Sequence, residues 1–200
     1  MRKTSYVIAF FAVLGTLLLN VASIRRPDWL IVKNPEIFHS KIPNPSGGRL
    51  AYTDYQCRPF PNRTVDGCEK ENKTFCMTWS TASYLSELGA GFAIVACLAL
   101  VFGVTTHSRR RRIWKSVSVL VALHVASQIA AFAVVTDLYR NSRFPTFERA
   151  RPGLAYVLNA VSWVLGTLVT FGVITTGISA SRGHRWAAGN RAYRPIEGPS

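Results

Sequence analysis

The chain has 200 residues, of which 48% are hydrophobic, 12% aromatic and 17% charged. Its formal net charge of +14 at pH 7 would suit a nucleic-acid-binding protein if the chain were soluble. Four apolar runs, each long enough to cross the hydrocarbon core of a bilayer as a helix, argue against that class. They predict an all-α membrane protein that leaves little length for a separate soluble domain.

The first apolar run has two interpretations. It follows Arg2 and Lys3 and ends in the small residues Val21-Ala22-Ser23, as a signal peptide would. The apolar stretch at 6–22 is longer than a usual signal core, which favours an uncleaved anchor; cleavage would leave three spans. We predict spans at residues 5–24, 84–106, 114–136 and 154–178.

The distribution of charge predicts the orientation of these spans. Arg2 and Lys3, the loop at 107–115 and the segment after span four are rich in Lys and Arg, and short loops of this kind stay in the cytosol. We therefore expect a four-span membrane domain at 1–180, an outer loop at 25–83, and a tail at 181–200. That tail is rich in Gly, Pro and Arg without an apolar period, so we expect it to be disordered and cytoplasmic.

The loop at 25–83 carries two further indications that it faces away from the cytosol. Asn62 and Asn72 begin glycosylation sequons, and Cys57, Cys68 and Cys76 suit an oxidising compartment. These features predict a secretory-pathway glycoprotein in the plasma membrane. Another secretory-pathway membrane or a vacuolar membrane is the alternative.

Small residues recur at four-residue spacing in three spans. Such faces let helix backbones approach closely in lipid, either within the bundle or against another membrane protein. Cys97 of span two is expected to be a packing residue. The three faces are Ala82, Ser86 and Ala90; Ala122, Ala126 and Ala130; and Ser162, Gly166 and Thr170.

A few polar side chains interrupt the spans, and an ionisable group within a membrane is a functional hypothesis by default. Glu87 lies near the outer end of span two, where it either reaches the interface or pairs with Arg149 or Arg151. His124 and Gln128 are four residues apart in span three, so they share one helix face.

Across the bundle, we expect His124 and Gln128 to form hydrogen bonds with Asn159 or Ser162. A polar path lined by Glu87, His124 and Asn159 would instead indicate a small transporter or the accessory subunit of a membrane complex.

The sequence lacks the common catalytic motifs. It contains no HExxH, CxxC or GxSxG and no phosphate-binding glycine loop. We therefore predict no enzymatic activity, no metal and no cofactor, and we expect no nucleic-acid partner. A lipid-modifying membrane enzyme with dispersed residues is a third hypothesis.

The strongest basic cluster precedes span three. Arg109, Arg110, Arg111 and Arg112 are followed by Trp114 and Lys115. The cluster is interpreted as an orientation signal, as a contact for anionic lipid worth roughly 1 kcal/mol per residue, or as a retention signal. Trp114 is expected to anchor the interface.

The outer loop contains three strand candidates. The first is residues 29–32, directly after span one. The second is a strand within 49–60 that leads to Cys57, where aromatic and β-branched residues alternate, and the third is Thr74–Trp79. Three strands can form a small sheet where a single hairpin would be marginal. We also expect residues 139–149 to contribute to this sheet.

These features together resemble the claudin and peripheral-myelin-protein superfamily, which includes fungal four-span proteins of the cell cortex. The resemblance rests on four spans with cytosolic ends, on Pro27-Asp-Trp29 just after span one, and on Cys57-x10-Cys68. The chain departs from the family pattern because the Gly-Leu-Trp before the first cysteine is missing. The resemblance implies a four-transmembrane-helix bundle capped outside by a small disulfide-stapled β-sheet, with Trp29 in the outer-sheet motif.

The resemblance also implies a disulfide and a function. The implied pair is Cys57 with Cys68, worth roughly 3 kcal/mol for a twelve-residue loop, but Cys76 is extra and the pairs Cys57–Cys76 and Cys68–Cys76 stay open. The implied function is non-enzymatic: organising membrane or cell-cortex assemblies by lateral association with further copies of the chain or with other membrane proteins.

Overall fold

The protein is described by a computed structural model, which covers residues 3–32, 56–57, 73–105, 110–141 and 151–188. In that part of the chain, the helices are α1 (Lys3–Arg25), α2 (Lys73–Thr105), α3 (Arg110–Arg140), α4 (Leu154–Ser181) and the short α5 (Arg185–Ala188). The strands are β1 (Leu30–Val32), β2 (Gln56–Cys57) and β3 (Arg151–Pro152).

The four long helices form a ring in which each packs against two others. Both α1 and α3 contact α2 and α4. All four are long and apolar enough to cross a membrane, which confirms the prediction of a helical fold with four candidate spans. Because successive helices alternate in direction, the end of α1, the starts of α2 and α4 and the end of α3 lie at one end of the bundle. We call it the sheet end, and the other the far end.

The start of α2 differs from the prediction. The helix begins at Lys73 rather than near residue 84, because hydropathy marks the apolar part of a helix and not the polar turns that extend beyond it. The strand predicted at Thr74–Trp79 is therefore wrong, since these residues form the first turns of α2.

A three-stranded antiparallel sheet caps the sheet end in the order β2-β1-β3. Ile31 pairs with Cys57 on one side and with Arg151 on the other. The strand predicted at 29–32 is confirmed. Of the strand predicted within 49–60, Gln56–Cys57 is found, and the other residues of that range lie outside the described residues. The third strand comes from Arg151–Pro152 rather than from 139–149. Of that range, residues 139–141 belong to the end of α3 and its following turn, and 142–149 lie outside the described residues.

A tight turn joins α1 to the sheet. The Arg26 guanidinium donates two hydrogen bonds to the Asp28 carboxylate, at 2.9 and 3.0 Å. These hydrogen bonds hold the pKa of the Asp28 carboxyl below its usual value. The turn brings Trp29 back over the bundle, where it is fully buried and its Nε1 donates to the Ser23 carbonyl at 3.1 Å.

Two apolar clusters hold the helices together. The sheet-end cluster joins β1 to α2, α3 and α4, and consists of Trp29, Leu30, Cys76, Trp79, Ala82, Val135, Leu138, Ala155 and Tyr156. The second cluster extends toward the far end and includes Tyr6, Ala9 and Val13 of α1, which pack with Ala93, Ala96, Cys97, Leu100, Val117, Val121 and Val173. The first apolar run is thus an integral part of the bundle, and Cys97 is a buried packing residue as predicted.

The small-residue faces divide into buried and exposed sets. Ser86, Ser162 and Gly166 are buried between helices, as packing within the bundle requires. Ala122 and Ala126 are exposed on the outside of α3, so packing within the bundle does not explain them.

At the far end, α4 is followed by a turn at Gly183, which has a φ of 79°, and then by α5. Ala187 is buried and Trp186 is 58% exposed. This part of the segment 181–200 is therefore structured, in contrast to the predicted tail, and residues 189–200 lie outside the described residues.

Candidate functional site

A buried polar layer crosses the interior of the bundle, with one residue from each long helix. We call Asn20, Ser86, Gln128 and Asn159 the polar layer, and each is 0% exposed. Asn20 and Gln128 both donate to the Ser86 carbonyl, at 3.1 and 3.2 Å. Asn159 donates to the Gln128 amide oxygen, which is the bond predicted for Gln128 between spans three and four. The bond predicted for His124 is instead made to α2. All four helices are therefore joined by side-chain hydrogen bonds at one level.

Close approach of α2 and α3 makes this layer possible. A Cβ at Gly89 would overlap the amide nitrogen of Gln128 and lie 3.3 Å from the His124 carbonyl oxygen. Only a residue without a side chain lets Gln128 reach across α2 to the Ser86 carbonyl. Gly89 is therefore required for the hydrogen bond between Gln128 and the Ser86 carbonyl in the polar layer.

His124 lies one helical turn from the polar layer and is also 0% exposed. Its Nδ1 is 2.8 Å from the Gly89 carbonyl oxygen. Because a carbonyl can only accept, this bond assigns the proton to Nδ1 and leaves Nε2 as an acceptor. Nε2 lies 4.0 Å from the position that a Cβ on Gly166 would take, so the imidazole is directed toward α4.

Four polar atoms of this region have no hydrogen-bond partner in the described part of the chain. They are Asn20 Oδ1, Ser86 Oγ, Asn159 Oδ1 and His124 Nε2. Three of them accept hydrogen bonds, and the Ser86 hydroxyl can both donate and accept.

Glu87 does not join the polar layer. It is exposed on the outside of α2, and its carboxylate accepts a hydrogen bond from Ser83 Oγ on the same helix at 3.3 Å. The predicted ion pair with Arg151 is not among the contacts of the described residues, and Arg149 lies outside them. The residues predicted to line a polar path are therefore divided: His124 and Asn159 are inside and Glu87 is outside.

The basic cluster lies at the far end of the bundle. Arg110, Arg111 and Arg112 form the first turn of α3, and Arg109 lies outside the described residues. Lys115 is exposed, with its Nζ 6.0 Å from the centroid of the Trp114 ring. Trp114 is only half-buried and packs on Gly177 of α4, where a Cβ would overlap the indole. Its ring therefore also joins α3 to α4.

The two cysteines whose side chains the structure describes differ in oxidation state. Cys97 is a free thiol, whereas Cys76 is disulfide-bonded and 3% exposed. The partner sulfur is not among the described side chains, since Cys68 and the side chain of Cys57 lie outside them. The predicted pairings among Cys57, Cys68 and Cys76 therefore stay predictions. The sequon residues Asn62 and Asn72 also lie outside the described residues.

An apolar groove of about 550 Å³ runs between α1 and α4 on the outside of the bundle. Phe11, Gly15 and Leu18 line it from α1, and Leu165 and Val169 from α4. No group of three or more His, Cys, Asp or Glu residues that could hold a metal ion occurs within the ranges that the structure describes.

Sequence reasoning missed Asn20 and the role of Gly89. Asn20 is a single amide in a strongly apolar helix, and such a residue is expected to find a partner in the bundle, so a signal was present. Gly89 gave none, because a glycine in a helix does not reveal which side chain passes over it.

The fold defines a multi-pass membrane protein with four candidate spanning helices. Compared with protein-family models and with curated protein sequences, the chain has no match.

Proposed function

We propose that this chain is a non-enzymatic integral membrane protein that organises membrane or cell-cortex assemblies by lateral association, as its resemblance to the claudin superfamily implies. The main support is that some polar side chains of the spans are buried inside the bundle, whereas one is exposed on its outside. Asn159 and His124 form hydrogen bonds inside the bundle, whereas Glu87 is exposed on the outside of α2. Buried amides of this kind join helices, while an exposed carboxylate within a span calls for a neighbour outside the bundle.

The outward surface offers faces on which such neighbours could pack. Ala122 and Ala126 present small side chains on the outside of α3, which allows close approach of another helix. The groove between α1 and α4 is lined mainly by apolar side chains and suits a lipid acyl chain. Both features are compatible with a protein that acts through lateral contacts in the bilayer.

The proposal includes an orientation and a membrane. The sheet end faces the outside of the plasma membrane, where Asn62 and Asn72 are glycosylated and the disulfide of Cys76 staples the outer loop to α2. The far end faces the cytosol. There the exposed Lys115 and Arg182, together with the arginines at 109–112, contact anionic lipid.

Crosslinking in intact membranes tests the proposed lateral association. We expect a short amine-reactive crosslinker to produce dimers and larger species of the tagged chain, which disappear when the same membranes are first dissolved in detergent. The detergent sample is the control for random collision. A chain that remains monomeric in membranes, and that diffuses at the rate of a single four-helix bundle, would contradict the proposal.

The alternative function is a small transporter or an accessory subunit with a polar path. The unpartnered Nε2 of His124 and Oδ1 of Asn159 favour it, because polar groups inside a membrane bundle can line an ion or substrate route. This alternative requires water to reach the polar layer from at least one side of the membrane.

Thiol labelling separates the two functions. In a Cys97→Ala background, Ser86→Cys places a nearly isosteric thiol in the polar layer, and Thr81→Cys places one on the exposed surface of the same helix near the sheet end. We expect a water-soluble methanethiosulfonate reagent to modify the thiol at 81 and not the one at 86, relative to the background protein. Rapid labelling at 86 would favour the transporter and count against the organiser.

A further inference from the structure

The exposed carboxylate of Glu87 lies within the spanning part of α2. Its neighbour Ser86 is level with Asn20 and Asn159. Asn20 is five residues before the end of α1 and Asn159 is five residues after the start of α4, which corresponds to about 7.5 Å along each helix. Glu87 is therefore more than one helical turn below the sheet-end termini of α1 and α4.

Lipid alone does not satisfy a carboxyl group at this depth. Acyl chains offer no hydrogen-bond donor, and ionisable groups within spans almost always face a bundle interior or a polar partner. The one donor that Glu87 has on its own helix is Ser83 Oγ. The rest of the carboxyl surface is directed away from the bundle.

Glu87 borders a continuous exposed stripe on α2. The stripe alternates steps of four and three residues, which is the pattern of two helices packed at a small left-handed angle. Gly91 lies at its centre with no atom within 4 Å of the position that a Cβ would take, so another backbone can approach there. Its members are Tyr84, Leu88, Gly91, Val95, Leu98 and Phe102.

The stripe includes Tyr84, whose hydroxyl can donate a hydrogen bond of the kind that the Glu87 carboxyl accepts. Tyr84 is 63% exposed, three residues from Glu87 and on the same side of the helix. Among the described residues, no other helix supplies a partner to either the Tyr84 hydroxyl or the Glu87 carboxyl. A surface with one donor and one acceptor a turn apart is self-complementary, as the contact between two copies related by a two-fold axis requires.

We propose that the exposed stripe of α2 is the contact between two copies of this chain, with the Tyr84 hydroxyl of each donating to the Glu87 carboxyl of the other. Two copies inserted in the same orientation place their α2 helices side by side and parallel, with Gly91 at the point of closest approach. The inference rests on the proposed lateral association and names the surface that produces it.

Cysteine crosslinking locates the contact. In full-length Cys97→Ala protein in native membranes, Gly91→Cys is expected to form a disulfide-linked dimer on mild oxidation, in excess over the Cys97→Ala background. The matched control is Ala126→Cys, which is also exposed but lies on α3, and it is expected to give little dimer.

Substitutions at the polar pair test its role. Glu87→Leu or Tyr84→Phe removes both symmetry-related hydrogen bonds, so we expect dimerisation in liposomes, measured by energy transfer between labelled copies, to weaken about tenfold. Glu87→Gln retains an acceptor and is expected to keep dimerisation close to that of the unmodified chain. Both positions are exposed, so the monomer fold is expected to persist, with monodisperse elution as the check.

The outcomes distinguish this inference from the proposed function. Dimers formed through position 126 instead of 91, or a dimer unaffected by Glu87→Leu and Tyr84→Phe, would overturn the α2 contact and leave lateral association in place. Energy transfer that shows only monomers at every protein-to-lipid ratio would overturn both.

Discussion

Replacement of Gly153 by alanine is expected to lower the stability of the protein by about 3 kcal/mol, at the upper end of the cost of overpacking. For a chain of this size, that corresponds to an apparent melting temperature about 6–12 °C lower. Gly153 sits between β3 and α4, and its amide donates to the Trp29 carbonyl at 3.0 Å. The loss can be measured by heating detergent-solubilised protein and following the monodisperse peak in size-exclusion chromatography.

The physical reason is a clash with backbone rather than with a movable side chain. A Cβ at Gly153 would overlap the Asp28 carbonyl oxygen and lie 2.8 Å from its carbonyl carbon. Relief requires the turn before β1 to move, and this movement breaks the pairing of Leu30 with Pro152. The backbone φ of –91° at Gly153 is open to any residue, so the cost comes from the close approach alone.

Gly172 supplies the matched control for this substitution. It lies on the exposed side of α4, and a Cβ there meets no atom within 4 Å. Gly172→Ala is therefore expected to be neutral or to raise stability by up to about 1 kcal/mol through helix propensity. Equal melting temperatures for the two variants would show that the turn at Asp28 does not hold the start of α4.

The helices were predictable from sequence because their apolar runs contain few polar residues and their lengths match a bilayer. The start of α2 is the exception. Lys73–Tyr84 is helical but polar, and its cysteine, threonines and aromatic residues also suit a strand. The packing of Trp79 against Trp29 and Tyr156 in the sheet-end cluster overrides that local preference, and no pattern within the segment records this long-range contact.

The polar layer was predictable in part. The spacing of His124 and Gln128 placed both on one face of α3. A hydrogen bond to Asn159 could be predicted because polar side chains within a membrane form hydrogen bonds across helices. The sequence gives no register between helices, so the meeting of Asn20 and Gln128 at one carbonyl of α2 could not be derived. Nor could the outward direction of Glu87, since hydropathy does not show which side of a helix its neighbours cover.

Replacement of Trp29 by alanine is expected to have the largest effect on stability, about 3–5 kcal/mol. The indole is 0% exposed and packs with residues from α2, α3 and α4, of which Trp79 is the largest. Truncation would leave a cavity where the sheet meets the bundle, and it would also leave the Ser23 carbonyl without the hydrogen bond that Nε1 now donates at 3.1 Å.

Two further substitutions separate packing from hydrogen bonding at Trp29. Trp29→Phe retains most of the apolar volume and loses the bond to Ser23, whose carbonyl still accepts from the Arg26 amide at 3.3 Å, so we expect a cost of about 0.5–1.5 kcal/mol. Trp186→Ala removes an indole that is 58% exposed and is expected to leave the melting temperature nearly unchanged. If Trp29→Ala melts no lower than Trp186→Ala, then the sheet is not anchored to the bundle through this residue.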